Sequence, residues 1–246
     1  MAGSSRYIRR RKSRSNFLQS IFFVLIFLLA AYVLARSSFF EVREIRVSGN
    51  NFLSREKIIE ASEINIGQNI FKLDLKASSQ KVKIIPLVKN VEMHRRLPST
   101  VEIVVAERSP LALLPSEAGF IQVDEEGVYL QKGDIAANQM PVITGVAYAL
   151  PAPGEKIASG ELDTALAVVK GLPGDLTERL SEINVTGGQV VLYTLEGIQC
   201  RLGLPDDLEQ KGEVMLSILG GLKSKGKSIQ YIDLSYAGSP VVKYAE

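Results

Sequence analysis

Eight residues near the C-terminus, GLKSKGKS at 221–228, satisfy the phosphate-loop pattern G-x-x-x-x-G-K-[ST] at every constrained position. In that pattern glycines let backbone N–H groups curl around phosphates, while the lysine and hydroxyl reach the terminal phosphate and its magnesium. Three S-x-x-K pairs, Ser54/Lys57, Ser78/Lys81 and Ser224/Lys227, have the nucleophile spacing of penicillin-binding transpeptidases. Those enzymes also need S-x-N and Lys-Thr-Gly, and Lys-Thr-Gly occurs nowhere in the chain. The first two pairs fall at predicted helix starts, where serine serves as a cap. Cys200 and His94 are the single cysteine and single histidine, too few for a structural zinc site, an intrachain disulfide or a nucleophilic triad. Cys200 is expected in a strand as a small buried apolar group. Asp124, Glu125 and Glu126 begin like a calcium loop, but the rest of that ligand ladder is missing, and they read as solvated turn charges.

The elements around the phosphate-loop match decide its meaning. A phosphate loop leaves a strand and opens a helix, whose N-terminus faces the phosphate. Here Leu208, Met215, Ile218, Leu219 and Leu222 make one helical face before the motif, with Gly212 and the Gly220-Gly221 pair weakening it. Alternation at Ile229, Tyr231 or Ile232, and Leu234 predicts a strand after it. The order is reversed. Lys223, Lys225 and Lys227 then lie near the negative end of a helix dipole, with Gly226 available for the turn. No catalytic residue, cofactor or metal is expected, and no small-molecule substrate.

Charge and hydropathy divide the chain unevenly. Residues 1–16 carry Arg6, Arg9, Arg10, Arg11, Lys12 and Arg14 without an acid, leaving 23 basic against 27 acidic residues in the remainder. Residues 17–35, FLQSIFFVLIFLLAAYVLA, then run nineteen positions without charge, proline or glycine. As a helix this spans roughly 28 Å, close to the hydrocarbon thickness of about 30 Å. A cleaved signal peptide ending at Val33-Leu34-Ala35 is the rival reading, but its apolar region is usually about 7–15 residues, so a retained anchor is favoured. The basic tail is expected to stay cytoplasmic, with all that follows across the membrane. It is read as a topology signal rather than a nucleic-acid site. The rest, at 246 residues with 46% hydrophobic and 23% charged residues overall, is ordinary globular material sufficient for two small cores.

Beyond the anchor, alternation at Ile45 and Val47, ended by Gly49-Asn50-Asn51, predicts a strand and turn. Ser54 caps a helix carrying Ile58, Ile59 and Ala61, and Asp74 caps a second with Leu75, Val82 and Ile85 on one face and Pro86 as stop. Strands at 88–96 and 100–107 follow, joined by the Leu97-Pro98-Ser99 turn. The predicted form is a small sheet with both helices on one face. Further on, 120–123 and 128–130 form a hairpin, 149–160 a loop, 161–170 a helix with Leu162, Ala165, Leu166 and Val169 on one face and Gly171 as stop, and 189–195 and 198–202 strands. A final strand is expected at 241–244 after the Gly238-Ser239-Pro240 turn.

Several of these residues carry a resemblance. Ile45, Val47, Gly49 and Asn50, then R-x-P-x-T-x-x-I-x-V-x-E-R-x-P at Arg96, Pro98, Thr100, Ile103, Val105, Glu107, Arg108 and Pro110, resemble the polypeptide-transport-associated (POTRA) domain of the FtsQ/DivIB family of bacterial cell-division proteins. NIFKLD at 69–74, V-D-x-x-G-V from Val123, P-V-I-T-G at 141–145 and YIDLSY at 231–236 are similar to further family segments, with Ser235 where arginine is common. The fold class implied is α+β: a cytoplasmic tail at 1–16, a transmembrane helix at 17–35, a β-α-α-β-β POTRA domain at 39–110 and an FtsQ/DivIB-type mixed domain at 111–246. Glu107, Arg108 and Pro110 would stand at the boundary, with charges pairing across it. The resemblance implies a non-enzymatic, single-pass scaffold of the divisome in the bacterial cell membrane at the division septum. Its partners would be membrane lipid and small coiled-coil proteins of the FtsB/DivIC and FtsL type. A POTRA-containing translocation or assembly module is the alternative. The partner-binding residues implied are Tyr231, Ile232, Leu234, Tyr236, Val241, Val242 and Tyr244, on a terminal hairpin whose edge strand can accept another chain.

Overall fold

The computed structural model describes residues 14–117, 119–135, 140–222, 229–236 and 238–244. Helix α1, Arg14–Ala35, contains the Phe17–Ala35 stretch, which is long and apolar enough to cross a membrane and is not buried against the rest of the chain. Beyond a 3-10 turn at Ser38–Phe40 come β1 (Glu44–Ser48), α2 (Arg55–Ser62), α3 (Leu75–Lys83), β2 (Val88–Arg96) and β3 (Thr100–Glu107). The three strands lie in the order β1-β3-β2, with β1 parallel and β2 antiparallel to β3. Ile45, Val91, Val101, Ile103 and Val105 point from the sheet into a core shared with Ile58 of α2 and Val82 of α3.

Local chemistry accounts for these boundaries. Ser54 accepts from the Lys57 N–H at the start of α2, and Asp74 accepts from the Lys76 and Ala77 N–H groups at the start of α3. Ser78 is not a cap, as its sequence context suggested; it lies one turn inside α3, because Asp74 already takes the orphan donors. Ile85 packs against the core from just beyond α3, which ends at Lys83. At Gly49, φ is +81° and an added Cβ would stand 2.1 Å from the Val105 carbonyl oxygen, so only glycine lets β1 turn against β3. Glu107 secures that turn by accepting from the Asn51, Phe52 and Leu53 N–H groups. Its charge therefore serves the first sheet, not the domain boundary.

The second unit contains β4 (Ala112–Ser116), β5 (Gly119–Val123), β6 (Tyr129–Gly133), β7 (Val142–Thr144), α4 (Gly160–Gly171), α5 (Gly174–Thr177), β8 (Leu180–Thr186), β9 (Gln189–Thr194), β10 (Gln199–Gly203), α6 (Leu208–Leu222), β11 (Ile229–Asp233) and β12 (Val241–Tyr244). Among the described residues its nine strands form one sheet in the order β12-β11-β10-β9-β8-β7-β4-β5-β6. Parallel pairs β4·β7, β7·β8 and β10·β11 join antiparallel hairpins into this sheet. Buried residues of α4 and α6, among them Leu162, Leu166, Met215 and Leu219, share a core with Ile183, Leu192, Cys200 and Ile232 of the strands. Gly212 belongs in α6 for packing, since an added Cβ would lie 2.3 Å from the Pro173 ring.

The sequence pattern did not reveal β4, β7, β8 or α5. In β4, Ala112, Leu113 and Leu114 are all buried, so no alternation marks the strand. β7 and α5 are too short for a period to emerge. In β8 a register shift between Leu180 and Glu182 breaks the period of two.

Candidate functional site

Chain order brings β11 and β12 to one end of the nine-stranded sheet. β11 pairs with β10 through Gln199 opposite Tyr231 and Cys200 opposite Ile232, and Leu234 N–H extends the ladder to the Arg201 carbonyl. β12 returns antiparallel, with Val242 opposite Ile232 and Val241 opposite Asp233. No strand among the described residues lies beyond β12.

The seven residues implied as a partner surface divide by burial. Ile232 and Leu234 are fully buried and hold β11 to the core. Val242 packs partly against the same core. Tyr231 is half-buried, with the Arg201 guanidinium 5.2 Å and the Lys243 ammonium 6.0 Å from its ring centre. Tyr236, Val241 and Tyr244 are exposed, at 80%, 56% and 47%. Ser235 donates its N–H to Asp233, and that bond, before the nearby Arg201 charge, holds the Asp233 carboxyl below its ordinary range.

A lysine that sequence reading passed over anchors the strands behind this edge. Lys211, on α6, is 1% exposed. Its ammonium donates to the Leu202 and Leu204 carbonyls, both at 2.9 Å, and pairs with Asp206. The hydrogen bond from Lys211 keeps the Asp206 carboxyl below its ordinary value. The signal was present in the spacing: Lys211 lies on the same helical face as Leu208, Met215 and Leu219. Beside it, Cys200 is completely buried, and burial pushes its thiol up to about 12, with the Asp233 charge adding to the shift.

A second polar cluster joins the two units. The Arg108 guanidinium donates to Asp124 at 2.5 Å and Glu126 at 2.7 Å. Lys89 of β2 pairs with Glu125 at 2.8 Å and Glu126 at 3.1 Å. Asp124 is 1% exposed and also accepts from the Glu126 and Val128 N–H groups. It is thus a buried organiser of the β5–β6 turn, correcting its reading as a solvated charge; that reading missed a cation supplied from residue 108. Burial lowers the Arg108 pKa, but hydrogen bonds to Glu126 and Asp124 more than offset this and leave it raised. Bonds from Arg108 and then Lys89 hold the Glu126 carboxyl below its ordinary value.

The phosphate-loop match is bracketed by α6, ending at Leu222, and β11, starting at Ile229. The helix-to-strand order expected from its flanks is observed, while Lys223, Lys225, Gly226, Lys227 and the Ser224/Lys227 pair lie outside the described residues.

Comparison with known proteins follows the same division. Residues 40–108 match the POTRA domain, FtsQ-type, and residues 112–235 match the C-terminal model of cell division protein FtsQ/DivIB. The chain is 31% identical to a cell division protein FtsQ of Syntrophotalea carbinolica over 223 residues, covering 87% of this chain and 77% of that protein. It is 25% identical to a DivIB of Clostridium acetobutylicum over 206 residues, covering 82% of each. Among solved structures, the major extracytoplasmic domain of DivIB from Geobacillus stearothermophilus aligns with a TM-score of 0.33 at 15% identity, over 49% of this chain and 98% of that one. With both folded units matched in order and the first relative aligned across most of its length, the chain belongs to the FtsQ/DivIB family of bacterial cell-division proteins.

Proposed function

We propose that this division protein is a non-enzymatic, single-pass scaffold that binds FtsB/DivIC-type and FtsL-type partners and so recruits and regulates septal cell-wall synthesis. Its tail at 1–16 is cytoplasmic, held there by six basic residues, its span covers 17–35, and its POTRA domain at 39–110 and second domain at 111–246 lie outside the cytoplasm at the septum. The observation that carries the reading is β12, the last strand of the sheet, which presents Val241 and the neighbouring Tyr236 to solvent. Such an edge accepts a strand from another chain, backbone hydrogen bonds giving affinity and alternate side chains specificity. The match of residues 112–235 to the FtsQ/DivIB C-terminal model supports division over a translocation or assembly role.

Replacing Tyr236 with Ala and Val242 with Lys together tests the edge. Removal of an exposed aromatic anchor and replacement of a partly buried β12 valine by a charge are expected to reduce partner co-purification from detergent by roughly thirtyfold, the scale of a hot-spot loss. Undiminished co-purification by the folded double variant would place the partner elsewhere.

A further inference from the structure

The first domain meets the end of α1 through an aromatic cluster in which Phe40 packs against the domain core while Phe39 and Phe71 project away from it. Phe39, Phe40 and Phe71 pack in a row, edge-to-face and then tilted, with ring centres 5.0 Å apart at each step, and Phe39 and Phe71 are about half exposed. Scattered surface phenylalanines are ordinary, but a contiguous group beside a membrane span is not. The loop carrying Phe71 is tied to the residues that follow the span. Asn69 donates its side-chain amide to the Ala35 carbonyl at 2.8 Å, Ile70 N–H donates to Phe40, and Gly67 N–H donates to Val42. Arg95 braces the loop from β2 by donating to the Ile70 and Leu73 carbonyls.

These ties fix depth. Phe39 lies four residues after Ala35 and therefore within about 14 Å of the span's last residue; Phe71 lies two residues after Asn69 and so within about 7 Å of it. Ile66, on the same loop, is also exposed. The charges around the cluster suit a headgroup region. Arg36, Arg43 and Lys72 are exposed, while Glu41 is half-buried and Asp74 is occupied in capping α3.

We infer that the face bearing Phe39, Phe71 and Ile66 is a membrane-seating surface, with the aromatic rings in the lipid interface and Arg36, Arg43 and Lys72 against anionic headgroups. Apolar side chains such as phenylalanine that dip into the headgroup/acyl boundary, with basic residues beside them, are favoured at a membrane surface. The POTRA domain is thereby held against the bilayer instead of swinging from it. This reading rests on the membrane span and is independent of the β12 edge.

The absence of tryptophan from the chain makes the test direct. Single-tryptophan variants Phe39→Trp, Phe71→Trp and Phe52→Trp are made in the full-length protein and reconstituted in liposomes containing anionic lipid brominated on its acyl chains. Phe52 is the control, exposed beside Glu107 at the far end of β3 from Arg43, which bonds Ser99. Tryptophan at 39 and 71 is expected to be quenched at least about twofold more strongly than at 52, as for residues at the bilayer interface. Equal quenching at all three positions would overturn the inference, and because 39 and 71 report separately, misfolding of one variant leaves the other decisive.

Discussion

Arg108→Met is expected to destabilise the β5–β6 region by about 3 kcal/mol, because it strands a buried carboxylate. The Asp124 side chain is 2% exposed, and Arg108 is the only cation paired with it among the described residues. Methionine preserves much of the arginine's apolar contact, so the loss isolates the charge. Asp124 keeps its bonds to the Glu126 and Val128 N–H groups, which organise the turn but do not neutralise it. Lys89→Met supplies the contrast. Its partners Glu125 and Glu126 are about half exposed, and such solvent-screened pairs contribute little. Hydrogen exchange at the Glu126 and Val128 amides reads both variants, and equal effects would show that burial of Asp124 is not what makes the clamp matter.

The neighbouring Arg108–Glu126 bond gives a pH dependence of definite sign. Glu126 has a lowered carboxyl pKa in the fold, so its contribution is fully present above the ordinary value of 4.5 and is lost as pH falls through the depressed one. The difference between Arg108→Met and the parent in exchange at Val128 should therefore narrow in acid below that range.

Lys211→Met carries the second large effect. It removes the donor for the buried Leu202 carbonyl and for the part-buried Leu204 carbonyl. An unsatisfied buried acceptor costs about 1–3 kcal/mol, so the Leu202 carbonyl carries most of a total of about 2–3 kcal/mol. Asp206 is largely exposed and recovers water, adding little. The loss falls where β10 leaves the sheet for α6, next to β11. Cys200 is the natural reporter, since the parent buries it fully and its thiol is pushed up to about 12, so alkylation at pH 8 requires the sheet to open. A destabilisation of this size is expected to speed labelling about a hundredfold. Labelling as slow as in the parent would mean that Lys211 does not hold β10.

The first domain was the more legible because its signals are local. Ser54 and Asp74 cap the helices they were expected to cap, and β2 and β3 occupy the residues that their alternation marked. In the second domain, contacts between distant segments decide more. A continuous apolar run hides β4, a bulge disguises β8, and Asp124 looked like a turn charge because its partner stands sixteen residues earlier. Along β11, the register shift between Ile229 and Tyr231 explains why simple alternation left the buried position open between Tyr231 and Ile232. The fold places Ile232 inside. The terminal hairpin was visible, whereas the division of its residues between core and surface depended on what α6 and β10 place beneath it.

Cysteine crosslinking tests the central claim most directly. Cys200 is the chain's single cysteine and is buried, so Val241→Cys introduces one reactive thiol on the exposed edge strand. The full-length variant is coexpressed with its FtsB/DivIC-type partner carrying one cysteine at successive positions, and disulfide adducts are mapped. Strand addition at β12 predicts adducts within one short partner segment, strong at every second position. Absence of adducts along the whole partner, while the two proteins still co-purify, would contradict the account.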